Sequence, residues 1–143
     1  MTFSNSWQAW ALLSAFFAGL TAVLAKVGVA GIDSNLATAI RTTVVGVFAW
    51  LLAWALCRPW RLEGLPGKTW LFLALSGLAT GLSWICYFRA LQLGQASRVA
   101  PIDKLSVVMV IALSAMFLGE RLNLRESCGA GLIVVGALLL AWK

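Results

Sequence analysis

The chain contains no histidine, and charged residues fill only 11% of its 143 positions. Without histidine, histidine-based nucleophile triads, HExxH zinc sites and haem ligation are excluded. Cysteine is scarce as well. Cys57, Cys86 and Cys128 stand alone in apolar runs, with none of the paired spacing of zinc ligands or redox couples, and read as small packing residues. Serines in apolar runs, such as Ser14, Ser83 and Ser114, have no histidine and no evident lysine to serve as base, so they read as helix-packing hydroxyls. No enzymatic activity, metal or cofactor is expected.

Acidic residues are few: five, against eleven basic ones, which leaves a net charge of +6. In a soluble protein that excess would suggest nucleic acid. Here the basic residues are dispersed singly between apolar runs and make no patch, so they read as anchors at membrane ends, and no nucleic-acid partner is expected.

What the sequence has in abundance is apolar residues, 62% of the total against about 45–50% in a soluble domain. A water-soluble fold would have no surface left to make. A helix needs about 20 apolar residues to cross the hydrocarbon core, so 143 residues hold five spans and no soluble domain. The expected fold is all-α: a polytopic membrane protein, one bundle of five transmembrane helices over residues 1–143, with the lipid bilayer as its surroundings.

The first run, about 7–26, is closed by Lys26. Its leader MTFSNS has no basic residue and no small-residue cleavage site follows, so the segment is expected to stay as a helix. Gly28, Gly31 and Asp33 form a link, and Ser34 or Asn35 is the expected N-cap of a second helix over about 36–56, with Arg41 inside it. The polar stretch RPWRLEGLPGK, Arg58 to Lys68, is the longest loop. A third helix follows over about 69–91, carrying Gly77 and Gly81 in GxxxG spacing, which serves packing within the bundle or a dimer face. The fourth helix is expected over about 99–118, with Pro101 in its first turn, where a missing amide hydrogen is harmless, and Gly119 at its end. Asn123 and Glu126 have the spacing of a capping box opening the fifth helix, about 124–142, and the short turn predicts an antiparallel hairpin. Trp7, Trp10, Trp54, Trp60, Trp70 and Trp142 lie near run ends, where indoles favour the headgroup region. Trp50 and Trp84 lie deeper, as packing residues or as stacking surfaces for substrate.

The segments YFRALQLGQASRVAPIDKL and VIALSAMFLGERLNLRESCGAGLIVVGALLL carry a family pattern: an aromatic and "AL" ending the third helix, a proline opening the fourth, "LGE" closing it, and spaced glycines in the fifth. Those positions are Tyr87, Ala90, Leu91, Pro101, Leu118, Gly119, Glu120, Gly129 and Gly136; Lys26 and Arg41 fit the pattern too. The ensemble resembles the five-helix EamA repeat of the drug/metabolite transporter superfamily, in its single-repeat bacterial and archaeal branch. That resemblance implies a secondary transporter of small organic metabolites in the cell membrane, working by alternating access. Many members hold two inverted copies around a midplane site, so a single copy implies a partner, expected to be a second copy in an antiparallel homodimer. A non-transporting membrane assembly or chaperone module is the rival reading. In the related small multidrug carriers a glutamate in the first helix couples proton exchange to cation export; here that helix has no acid.

Six residues are candidates for substrate binding or gating: Lys26, Arg41, Trp84, Arg89, Asp103 and Glu120. Arg41 and Arg89 either snorkel to the interface or face a polar cavity. Asp103, read as lying near the start of the fourth helix, is either a dipole-stabilised surface anion or a coupling group. Glu120 is either a turn residue paired with Arg121 or Arg125, or a gating contact. In a five-helix topology the basic residues divide evenly: Arg58, Arg61, Lys68, Arg121 and Arg125 on one side, and Lys26, Arg41, Arg89, Arg98, Lys104 and Lys143 on the other. Over this full tally the positive-inside rule sets no orientation, while compact loops alone, without Arg41 and Lys104, favour the first side weakly; dual topology is the expectation. The excess of cations near the membrane predicts an anionic or zwitterionic substrate.

Overall fold

Apolar runs of helical length become helices here, because inside a bilayer only a helix satisfies every backbone polar group of a single span. A computed structural model of the chain describes residues 6–57, 65–120 and 123–142. It contains α1 (Trp7–Gly28), α2 (Ser34–Leu56), α3 (Gly67–Leu93), α4 (Ala96–Asp103), α5 (Ser106–Leu113), a π-helical turn (Ser114–Leu118) and α6 (Leu124–Ala141). Five segments are long and apolar enough to cross a membrane, the fourth being Ala96–Leu118 as a whole. No strand occurs among the described residues. Most of the long polar loop, with Arg58, Trp60 and Arg61, and also Arg121 and Lys143, lies outside the described residues.

Large apolar side chains point outward: Phe117 is 75% exposed and Leu132 74%. Among the described residues the buried apolar ones are mostly alanine, with Val29, Phe88 and Leu91 the larger exceptions. A water-soluble chain of this composition would reverse that distribution, so the apolar solvent is lipid. Contacts divide the chain into two compact units, Met1–Lys26 with Leu93–Lys143, and Val27–Gln92.

In the unit Val27–Gln92, the link between α1 and α2 turns at Gly31, whose φ of +79° is a left-handed conformation that glycine adopts without a Cβ clash. The N-cap of α2 is Asp33, one residue before the two expected. Its Oδ1 accepts from the backbone N–H of Asn35 at 2.8 Å and of Leu36 at 3.2 Å. A carboxylate there satisfies orphan donors and also meets the positive end of the helix dipole, which leaves Ser34 free to be buried as the first helical residue. α3 has 27 residues, or about 40 Å, longer than the roughly 30 Å hydrocarbon core, so it tilts or projects. A Cβ added at Gly77 or Gly81 would meet no atom of this unit within 4 Å.

In the other unit, the fourth span departs from expectation. It begins at Ala96, capped by Gln95, and not near 99. Pro101 therefore sits in the interior of α4, not in its first turn, and cannot donate to the carbonyl of Ser97 four residues back. Winding tightens just after it. The Lys104 N–H is shared between the carbonyls of Ala100 (3.2 Å) and Pro101 (3.1 Å), Leu105 donates to Ile102 (2.9 Å), and Val107 and Val108 donate to Lys104 and Leu105 (3.0 Å each). These three-residue closures separate α4 from α5. The span then ends in wide turns. Gly119 and Glu120 both donate to the Ser114 carbonyl, with Gly119 left-handed at φ +70°. A capping box opens α6: Asn123 accepts from the Glu126 N–H, and Glu126 accepts from the Asn123 N–H. α6 runs back against the fourth span, with α4 its main packing partner.

Candidate functional site

On α2 the buried residues Ser34, Ala37 and Thr38 and the half-buried Arg41 recur at i, i+3, i+4 and i+7, one face of a helix. The Thr38 hydroxyl donates to the Ser34 carbonyl at 2.8 Å and the Thr42 hydroxyl to the Thr38 carbonyl at 2.7 Å, so both hydroxyls bond within their own helix. Arg41 is the eighth residue of α2, about 11 Å along the axis from its start. α3 contributes Trp84 and Phe88, four residues apart and thus on one face.

Between these faces the Arg41 guanidinium reaches across. Its Cζ lies 4.2 Å from the centre of the Trp84 ring and 5.6 Å from that of Phe88. Trp84 is half-buried and Phe88 buried, with the fully buried Leu91 one turn further on. A guanidinium over an aromatic face gains cation–π attraction and keeps its in-plane N–H groups available. Among the described residues no acidic side chain pairs with Arg41. Chemically, this is a half-desolvated cation with a fork of donors, suited to a carboxylate or phosphate.

Arg89 is placed differently. It is exposed and donates to Gln92 Oε1 at 2.9 Å, while Gln92 Nε2 donates to the Ile32 carbonyl at 2.6 Å. Arg89 thus orients an amide that ties the end of α3 to the link before α2. In the other unit, Lys26 Nζ donates to the Gly94 carbonyl at 2.8 Å, covering a carbonyl left over where α3 ends.

Asp103 is the last residue of α4 and not near the start of the fourth helix, because that helix begins earlier than the sequence suggested. The dipole of α4 therefore disfavours its charge, and Lys104 Nζ lies 3.7 Å from its Oδ2. Glu120 is exposed in the turn after Gly119; of its two proposed partners, Arg121 lies outside the described residues. No atom lies within 4 Å of a Cβ added at Gly129 or Gly136.

Of the six candidates, then, Arg41 and Trp84 are brought together within the unit Val27–Gln92, where Arg89 engages Gln92 instead, and Lys26, Asp103 and Glu120 belong to the other unit. Phe88 and Gln92 were not anticipated. Phe88 follows Trp84 at helical spacing, a signal present in the sequence; Gln92 carries none, since its partner is a backbone carbonyl sixty residues away.

The chain matches the EamA-like transporter family over residues 5–142. It is 59% identical over 138 residues to the "Uncharacterized transporter in cobO 3'region" of Sinorhizobium sp, covering 96% of this chain and 98% of that protein. A second relative, from Yersinia pseudotuberculosis, bears the name "Probable 4-amino-4-deoxy-L-arabinose-phosphoundecaprenol flippase subunit ArnE". The two are 31% identical over 71 residues, which is 50% of this chain and 62% of that one. No solved structure matches the chain. Five membrane-length helices and a match along nearly the whole sequence make this chain a member of the EamA-like transporter family.

Proposed function

We propose that this transporter moves a small organic metabolite bearing a carboxylate or phosphate across the cell membrane, by alternating access, as an antiparallel homodimer of one five-helix repeat. The observation that carries the substrate class is Arg41. A cation inside a membrane span is costly, about 2.5–3.5 kcal/mol at the helix centre, and such residues usually face an interior or a partner. Here the partner is the pair of rings at Trp84 and Phe88, which offsets part of that cost without neutralising the charge, so an anionic group completes the site. The name of the Yersinia relative includes a phosphate-bearing substrate, which supports the phosphate class, and the word "subunit" in it supports function in an assembly.

Uptake of carboxylate- and phosphate-bearing solutes into sealed vesicles containing the chain tests the reading. Transport of these is expected; transport confined to organic cations, or none at all, contradicts it and favours a non-transporting assembly module. The antiparallel pairing rests on the balance of basic residues, five against six. Reporters fused after Lys143 should be active on both sides of the membrane, and activity on one side alone rules out dual topology.

A further inference from the structure

The α3 face that meets Arg41 holds a third aromatic residue. Tyr87 lies three residues after Trp84, a spacing that sets two helical residues side by side. Its ring meets that of Phe88 edge to face, with centroids 6.5 Å apart and planes at 67°, and the Arg41 charge interacts electrostatically with Tyr87. Burial along the face is graded. Leu91 and Phe88 are buried, Tyr87 and Trp84 half-buried, and Gly77, two turns before Trp84, exposed. The matching face of α2 is graded in the same sense, from the buried Ser34 and Thr38 through the half-buried Arg41 to the exposed Val45. Tyr87 therefore stands at the border between the closed and open parts of this unit, level with the guanidinium that a solute would reach from the open part.

The chemistry of these groups is unequal. A guanidinium and an indole N–H only donate hydrogen bonds, and a phenylalanine ring does neither. On α2, the Thr38 hydroxyl directs its proton to the Ser34 carbonyl. A phenol carries both a proton and lone pairs. Toward Arg41, which cannot accept, it offers lone pairs alone. An oxyanion seated on the guanidinium changes that relation, because its oxygens accept from the Arg41 N–H fork and still have lone pairs for a further donor.

We infer that Tyr87 is a second binding residue of the anion site, its hydroxyl donating to an oxygen of the carboxylate or phosphate that Arg41 holds. The Trp84 and Phe88 rings set the guanidinium, and the phenol adds a donor from α3, so the bound anion joins α2 to α3. The inference rests on the reading of Arg41 as an anion site and adds to it the residue that completes the donor set.

Two measurements on the full chain in phosphatidylethanolamine–phosphatidylglycerol vesicles test it. Tyr87 is the single tyrosine of the sequence, so tyrosine isotopically labelled at the ring carbon that bears the hydroxyl tags this side chain alone. The magnetic resonance of that carbon should shift when inorganic phosphate is added at neutral pH, and phosphate should leave it in place in Arg41→Gln. A resonance that ignores phosphate in the unaltered chain overturns the inference, whether or not the vesicles transport anything. A shift that persists in Arg41→Gln overturns it too, since the phenol would then answer to an anion that Arg41 does not hold. The second measurement is transport of a carboxylate- or phosphate-bearing solute by Tyr87→Phe, which removes the hydroxyl and keeps the ring. The half-saturating concentration should rise at least about tenfold, roughly 1.4 kcal/mol, with the maximal rate little changed. Equal half-saturating concentrations in the two chains overturn the role of Tyr87 while leaving the anion-transport reading standing.

Discussion

The two units hold charge inside a membrane span in opposite ways. In Val27–Gln92, α2 is unbroken from Ser34 to Leu56, and its cation, Arg41, is held by the faces of Trp84 and Phe88 on another helix. In the other unit the fourth span is interrupted, and its charges, Asp103 and Lys104, are held by each other across the interruption. Aromatic faces attract a cation through their quadrupole and leave it charged, whereas an ion pair cancels. The first arrangement presents a standing positive site, and the second a pair that is neutral overall. Regular helix suffices for the one because the partner comes from elsewhere. In the other, the partners are chain neighbours beside the interruption.

Removing the interruption is the harshest test of that contrast. Pro101→Ala restores a donor toward the Ser97 carbonyl, and a proline inside a helix costs about 3 kcal/mol. Thermal unfolding in detergent should therefore move to higher temperature, by up to that amount in stability. A less stable variant would show that the break owes nothing to the proline. The corresponding change in the other unit should be milder. Trp84→Leu keeps an apolar side chain but removes the ring nearest Arg41, a loss of about 0.5–2 kcal/mol. Because the Phe88 ring is further from the guanidinium, 5.6 Å against 4.2 Å, Phe88→Leu should raise the half-saturating substrate concentration less than Trp84→Leu does. Equal effects would mean that packing, and not the cation, is what the rings serve.

The contrast also separates what the residues announce from what only the folded chain reveals. The five spans follow from apolar run length, and the capping box at Asn123 and Glu126 from local chemistry, since its partners sit three residues apart. Gly119 ends the fourth span at positive φ, as a glycine after an apolar run suggests. Where local signals compete, the sequence is ambiguous: Asp33, Ser34 and Asn35 can each cap, and the charged carboxylate prevails. Pro101 signals a helix start because prolines favour first turns, but Ala96 to Ala100 are compatible with helix and extend it backward. The encounter of Arg41 with Trp84 was not legible. Periodicity assigns each to a face of its own helix, and neither spacing nor composition says which faces meet. The same limit applies to Arg89, whose charge was plain but whose partner, Gln92, serves a distant carbonyl.

The central claim is that Arg41 presents its charge to an anionic substrate. It is tested most directly by Arg41→Gln in reconstituted vesicles, with insertion checked by the amount of chain recovered in the membrane. Transport of a carboxylate- or phosphate-bearing solute should fall at least about tenfold, roughly 1.4 kcal/mol, at unchanged insertion. Transport near that of the unaltered chain, with only insertion affected, would mean that Arg41 merely reaches for the headgroups, and the account of the site would be wrong.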